Sequence, residues 1–411
     1  MASPQPPAPP PAESPPPPAP TTVLALGEDL LREIFVRLPS LPSLVRAAFT
    51  CHAFLDAVRS SPAFRRRFRE DHPQPLLGFF FDPDGPAIPS FAPLRRRDEP
   101  DLAAAICGAD FFLTRLPDED DASPGWSISD CHDGYVLFYN SGTGQFAAFN
   151  PIARALDLIP PTPDEIFDGC HGPPAYLDGC IVFSGEAGGP FRLVNTCYDD
   201  SRARAAVFSS ESREWEIFPW SEPMTEPGEK YWLKGGTMVN GSIYWVHTTD
   251  AYMLVLDTAT LQFSQMDLPA CLAGQDYLFR VGEAKDGKLC IVCPIEFKLL
   301  VWVWRSDDDG TKRWMLDNKF HLETIVDETE GSLEEHGELH IVATVDGVVY
   351  FTTSETFIDP HFPSWFLSLC LETAELDTVF QKRYDSHVHP YIMAWPPSLV
   401  QNKVCPQLED A

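Results

Sequence analysis

A chain of 411 residues exceeds the ~250 to 300 at which single cores stop growing, and its 44% hydrophobic and 12% aromatic content excludes wholesale disorder. The net charge of −30 is uneven: residues 26–72 carry eight Arg against six acids, the first 25 carry only Glu13, and the rest amounts to −31. So acidic a body repels phosphate backbones and argues against nucleic acid as a partner, while the absence of any run near ~18 apolar residues argues against a membrane span.

Residues 1–20 hold eleven prolines and read, with residues 21–25, as a solvated tail biased to polyproline II. No Lys, Arg or apolar segment in the first 25 residues supports a secretory signal. The eleven cysteines, odd in number and without paired spacing, therefore read as free thiols in a reducing compartment, cytoplasm or nucleus.

From Leu26 the periodicity turns helical. Leu30, Ile34 and Leu38 recur at i, i+4, i+8 with Leu31 and Phe35 beside them, Glu28 and Asp29 favour the N-terminal dipole, and Pro39 marks the end. Two short helices are expected over about Ser43–Phe49 and Cys51–Arg59, the latter with Cys51, Phe54, Leu55 and Val58 on one face. Ser61-Pro62 opens a last turn or two holding Phe64 and Phe68, with Arg65, Arg66, Arg67 and Arg69 outward. So short a unit cannot bury all five apolar residues of its first helix, so part of that stripe is expected to face a partner.

After Pro75 the period becomes two. Asp133-Gly134, Asp178-Gly179, Asn240-Gly241, Asp286-Gly287 and Asp346-Gly347 read as hairpin turns. A hairpin unit recurs at residues 146–159, 206–220, 253–268, 300–320 and 365–380, with turns beginning after Phe149, Phe208, Leu256, Trp304 and Leu371. Repeats of about 50 residues with several strands each point to propeller blades of the kelch type, and a pair of β-sandwiches is the runner-up. Open sheet edges are a liability. A strand near Leu77–Phe81 is therefore expected beside the C-terminal segment Tyr391–Trp395, completing a sixth blade.

Residues Leu26–Pro39, Leu44–Phe54 and Ser61–Phe64 together resemble the F-box, with Gly27 where that family carries proline and Phe54 where it carries tryptophan. Pro75–Phe81, Asp130–Leu137, Phe149–Pro151, Phe191–Val194, Val207–Glu211 with Trp215, and Val239–Trp245 resemble the plant F-box-associated region of the grass type. The resemblance implies an α+β multidomain fold: a small all-α F-box over 26–72, then a mainly-β, propeller-like domain over 76–399 that recognises targets, and a tail over 400–411. It also implies a non-catalytic substrate receptor of an SCF ubiquitin ligase. Its adaptor-binding residues would be Leu26, Leu30, Leu31, Ile34, Leu38, Pro39, Leu44, Val45, Cys51, Phe54 and Phe64. These would meet a Skp-type adaptor, which carries the cullin and RING subunits.

For the unknown protein target, Trp126, Trp220, Tyr231 and Trp232 are candidate contacts, because exposed aromatics beside turn residues are common hot spots. Each could equally pack between blades. No cofactor or metal is expected. Gly142–Ala147 spells the dinucleotide fingerprint but leads into a strand, Cys290 and Cys293 lack a second pair, and His387 and His389 read as a loop pair. No G-x-S-x-G elbow occurs. Two rival readings remain, a propeller hydrolase with an incidental helical N-terminus and an F-box scaffold outside any ligase.

Overall fold

The computed structural model describes residues 26–72, 74–83, 87–94, 100–117, 125–183, 190–224, 235–247, 252–272, 279–285, 287–307, 309–322, 325, 329, 339–353, 364–382, 386–396 and 399. Two compact units emerge, Met1–His72 with Leu399–Ala411, and Pro73–Ser398.

The first unit holds four helices, α1 (Glu28–Phe35), α2 (Leu41–Ala48), α3 (His52–Arg59) and α4 (Pro62–Asp71). Serines open two of them: Ser40 accepts from Ser43 N at 3.4 Å and Ser61 from Phe64 N at 3.2 Å, each with a proline in the first turn. Two expectations are corrected. Helix α1 ends at Phe35, with Val36 as its cap, so Leu38 lies beyond the helix and Pro39 is not its terminator. Helix α4 runs ten residues, and Arg65 points inward, donating to Val58 O at 2.9 Å and to Arg59 O. The last carbonyls of α3 have no intrahelical partner, and the buried guanidinium supplies one.

The second unit is a six-sheet propeller. Blade 1 is β3 (Trp126–His132), β4 (Tyr135–Asn140), β5 (Phe146–Asn150) and β6 (Ala155–Ile159). Blade 2 is β7 (Ala175–Phe183), β8 (Phe191–Tyr198), β9 (Ala203–Ser209) and β10 (Trp215–Ile217). Blade 3 is β11 (Thr237–Val239), β12 (Ser242–Val246), β13 (Tyr252–Asp257) and β14 (Gln262–Asp267). Blade 4 is β15 (Arg280–Glu283), β16 (Leu289–Ile295), β17 (Lys298–Ser306) and β18 (Lys312–His321). Blade 5 is β19 (Leu339–Val345), β20 (Val348–Thr353), β21 (Ser364–Cys370) and β22 (Leu376–Lys382). Apolar clusters fill the spaces between successive blades, such as that of Val292, Val301, Ile341 and Phe351 between blades 4 and 5.

The closing blade joins the two ends of the unit. Strand β1 (Leu76–Pro83) lies between β2 (Ser90–Pro93) and the C-terminal β23 (Ser386–Ile392), with Gly78 opposite Tyr391 and Phe80 opposite His389. The ends therefore pair as the edge-strand argument requires. His387 and His389 sit on β23 and are not a loop pair. A helix, α5 (Pro100–Gly108), follows β2.

In blades 1 to 5 four antiparallel strands return the chain to its starting end, so the first and third turns lie on one face and the second turns and blade-to-blade connections on the other. On the first face Asp133-Gly134, Asn240-Gly241 and Asp346-Gly347 turn with both residues at positive φ, as two-residue hairpins require. Asp286 lies outside the described residues. Asp178-Gly179 is a correction: it lies inside β7 at a register shift between Leu177 and Cys180. Glycine keeps β7 close to the preceding blade there: Gly179 O accepts from Ser129 Oγ at 3.0 Å, and a Cβ would stand 3.2 Å from the Phe146 ring, which would have to give by a few tenths of an ångström. Two expected turns also move: β17 continues to Ser306, and β21 ends at Cys370, one residue before the expected Leu371.

Candidate protein-binding surfaces

On α1 the apolar arc divides. Leu31 and Phe35 are buried, and Phe35 meets Phe54 of α3 edge to face at 5.3 Å. Arg32 fixes the crossing by donating to Ala57 O and Ser60 Oγ, both at 2.9 Å. With that face engaged, Leu30 and Ile34, one turn apart, remain 56% and 46% exposed.

The other expected adaptor residues sort by burial. Pro39 is exposed; Leu26, Leu38, Val45, Cys51 and Phe54 are half-buried; Leu44 and Phe64 are buried with Leu31. In the free chain Leu31, Leu44 and Phe64 belong to the core of the unit. Sequence reasoning placed Phe49 inside the second helix, whereas it is the C-cap of α2 and 54% exposed, beside no signal beyond its position at the helix end.

The two described candidate tryptophans of the propeller both make hydrogen bonds within the fold. Trp126 is buried and donates to Pro117 O at 3.3 Å. Trp220 donates to Asp168 O at 2.8 Å and lies beneath Arg202 and Arg204, whose guanidinium carbons are 4.8 and 5.7 Å from its ring. Arg204 also donates to Asp168 O at 3.0 Å, so this set pins the 160–174 connection to blade 2. Tyr231 and Trp232 lie outside the described residues.

Charge inside the propeller likewise serves blade-to-blade clasping. Asp130 accepts from Ile181 N at 3.0 Å and Cys131 N at 2.8 Å; burial pushes its carboxyl above the usual range, against the opposing pull of His132 and those N–H groups. Asp82 accepts from Ile128 N at 2.7 Å, tying the closing blade to blade 1. Burial also raises Asp199, but Arg202 and the N–H groups of Ser201, His171 and Arg202 prevail and hold it low. Burial drives the His389 imidazole down to about 4, with His387 adding to the effect.

Cys290 and Cys293, three apart on β16, face opposite sides of the sheet, one in the core between blades 4 and 5 and the other between blades 3 and 4. They cannot share an ion. Among the described residues no three His, Cys, Asp or Glu side chains are grouped to hold a metal, and no helix is long and apolar enough to cross a membrane. Gly142–Ala147 is a hairpin turn, with Asn140 Oδ1 accepting from Gly142 N and Thr143 N at 2.8 and 3.0 Å.

Among solved structures, a 6-phosphogluconolactonase-like protein from Bacteroides fragilis is 13% identical over 63% of this chain and 69% of its own, with a TM-score of 0.33. An oligogalacturonate lyase in complex with manganese is 9% identical over 65% and 66%, with a TM-score of 0.35. A chain of a nidogen/laminin complex is 10% identical over 76% and 96%, with a TM-score of 0.37. At such scores these likenesses carry nothing about function. No curated protein matches the sequence. The family described as "F-box protein AT5G49610-like, beta-propeller" matches residues 127–399, from within β3 through the closing strand. The chain thus belongs to the F-box protein AT5G49610-like β-propeller family.

Proposed function

We propose that this protein is the substrate receptor of a Skp–cullin–F-box ubiquitin ligase, acting in the cytoplasm or nucleus without chemistry of its own. In this reading residues 26–72 form the F-box and bind a Skp-type adaptor, which brings cullin and RING subunits. The propeller holds the target protein. The observation that supports it most is the Leu30–Ile34 face of α1, left in solvent while Leu31 and Phe35 of the same helix are spent on the core of the unit. Membership in an F-box protein family supports the same assignment.

The reading is tested with Leu30→Asp combined with Ile34→Asp in the full chain. Both positions are already exposed, so the unit should still fold. Each buried aliphatic contributes roughly 1.5 to 3 kcal/mol, so capture of a purified Skp-type adaptor should fall by at least about a hundredfold. Undiminished capture by a folded double variant would remove the F-box assignment.

A further inference from the structure

The face of α1 left open by its own unit ends in an unpaired cation. Leu30 and Ile34 stand one turn apart in solvent, and Arg37, three residues beyond Ile34, is exposed and enters no ion pair among the described residues. The charges of α1 itself are already matched: Glu28 and Asp29 pair with Arg32, and Glu33 with Arg67 at 2.7 Å. An occupant of this face must therefore offer aliphatic side chains first and an acid after them.

The chain comes back to this unit at its other end. Leu399 is fully buried and falls with residues 1–72, although the propeller precedes it in sequence. Residues 400–411 continue from it. Twelve residues span up to about 40 Å when extended, whereas a unit of about 50 residues is only about 25 Å across, so every face of the helical unit lies within their range.

The sequence of this segment matches the face in pattern and in charge. Ser398 and Gln401 have capping-box spacing, Val400 and Val404 lie four apart as Leu30 and Ile34 do, and Pro406 limits any helix to the residues before Cys405. Glu409 and Asp410 follow, against the single basic residue Lys403. The order aliphatic, aliphatic, acid thus runs parallel to Leu30, Ile34, Arg37. A second copy of the chain suits the face less well, because its own α1 would bring another unpaired Arg37 and no free acid.

We propose that residues 400–411 dock on the Leu30–Ile34 face of their own helical unit, Val400 and Val404 against the two aliphatic side chains and Glu409 or Asp410 on Arg37, so that any partner of α1 must displace them. Only the identity of that partner as a Skp-type adaptor rests on the receptor reading. Tethered at Leu399, the segment has an effective concentration of about 1 mM, so a contact with a Kd of about 0.1 mM covers the face about nine-tenths of the time and weakens a competitor about tenfold.

The test places the photoreactive residue p-benzoylphenylalanine at position 30 of the full chain, irradiates it without any partner and maps the adducts by mass spectrometry. Adducts to residues 400–411 at the mass of one chain are expected. Val400→Asp combined with Val404→Asp should lower their yield at least about fivefold without changing the melting temperature. Adducts only between chains would overturn the proposal by making a second copy the occupant, and adducts that avoid residues 400–411 or survive the two substitutions would overturn it as well. In the chain with Leu30 intact, the same two substitutions should tighten binding of a purified Skp-type adaptor about tenfold. Equal adaptor affinity with and without them would overturn the displacement step. Adaptor that binds neither chain, with the adducts in place, counts against the receptor reading alone and leaves the docked segment supported.

Discussion

The two faces of the propeller are built on different terms. On one, the chain reverses in two residues at Asp133-Gly134, Asn240-Gly241 and Asp346-Gly347, and the turns are tied together. Thr258 N donates to Gly241 O at 3.0 Å, Leu371 N to Gly347 O at 2.9 Å, and Asn240 Nδ2 reaches Gly287 O in the next blade. On the opposite face the chain leaves the blades through longer connections, of which 160–174, between blades 1 and 2, is described throughout. The difference teaches where closure is held: the turn face carries the short reversals and the bonds that tie one blade to the next.

The largest effect that sharpens this contrast is expected from Gly134→Ala. The added Cβ would meet Ala394 Cβ at 2.5 Å and its backbone N at 2.7 Å, at a φ of +77°, where the closing strand meets blade 1. A loss of about 2 to 4 kcal/mol in denaturant unfolding should follow, and a loss under about 1 kcal/mol would show that this junction does not hold the ring. Tyr391→Phe removes the hydroxyl that donates to Gly134 O at 2.9 Å and leaves a buried carbonyl unpaired, for about 1 to 2 kcal/mol. Gly241→Ala has the same turn chemistry but open space, with Thr258 Oγ1 the nearest atom at 3.8 Å. Only the conformational cost of about 1 kcal/mol is expected there. Finding Gly134→Ala and Gly241→Ala equal would erase the distinction between strain and packing.

A smaller effect comes from His389 on the closing strand. Its folded pKa of about 4 lies below the ordinary 6.5, so between those values the unfolded chain binds more protons and stability falls as pH drops. Between pH 7 and pH 5 the protein should lose about 1 to 2 kcal/mol relative to a His389→Leu variant. Parallel curves for the two would mean that His389 titrates normally.

Several features were legible because local chemistry selects the residue. Asn, Asp and Gly tolerate positive φ, which made the tight turns readable, and leftover strand-like ends implied closure. The same letters misled at Asp178-Gly179, which lies within β7 against the neighbouring blade and not in a turn. Periodicity gave the apolar arc of α1 but could not say that Leu31–Phe35, and not Leu30–Ile34, would meet α3, since both pairs sit one turn apart. Arg65 read as outward because charge usually is; only the position of the α3 carbonyls shows why it is buried. For Trp126 and Trp220 the sequence left contact and packing both open, because it does not show that the Pro117 and Asp168 carbonyls lie within reach of their indole N–H groups.

The central claim, that residues 26–72 dock an adaptor while the propeller stays available for a target, is tested most directly by hydrogen exchange of the full chain with and without a purified Skp-type adaptor. The expected result is new protection over α1, including Leu30 and Ile34, with exchange in blades 1 to 5 unchanged. Protection confined to the propeller, or none over α1 at saturating adaptor, would contradict it.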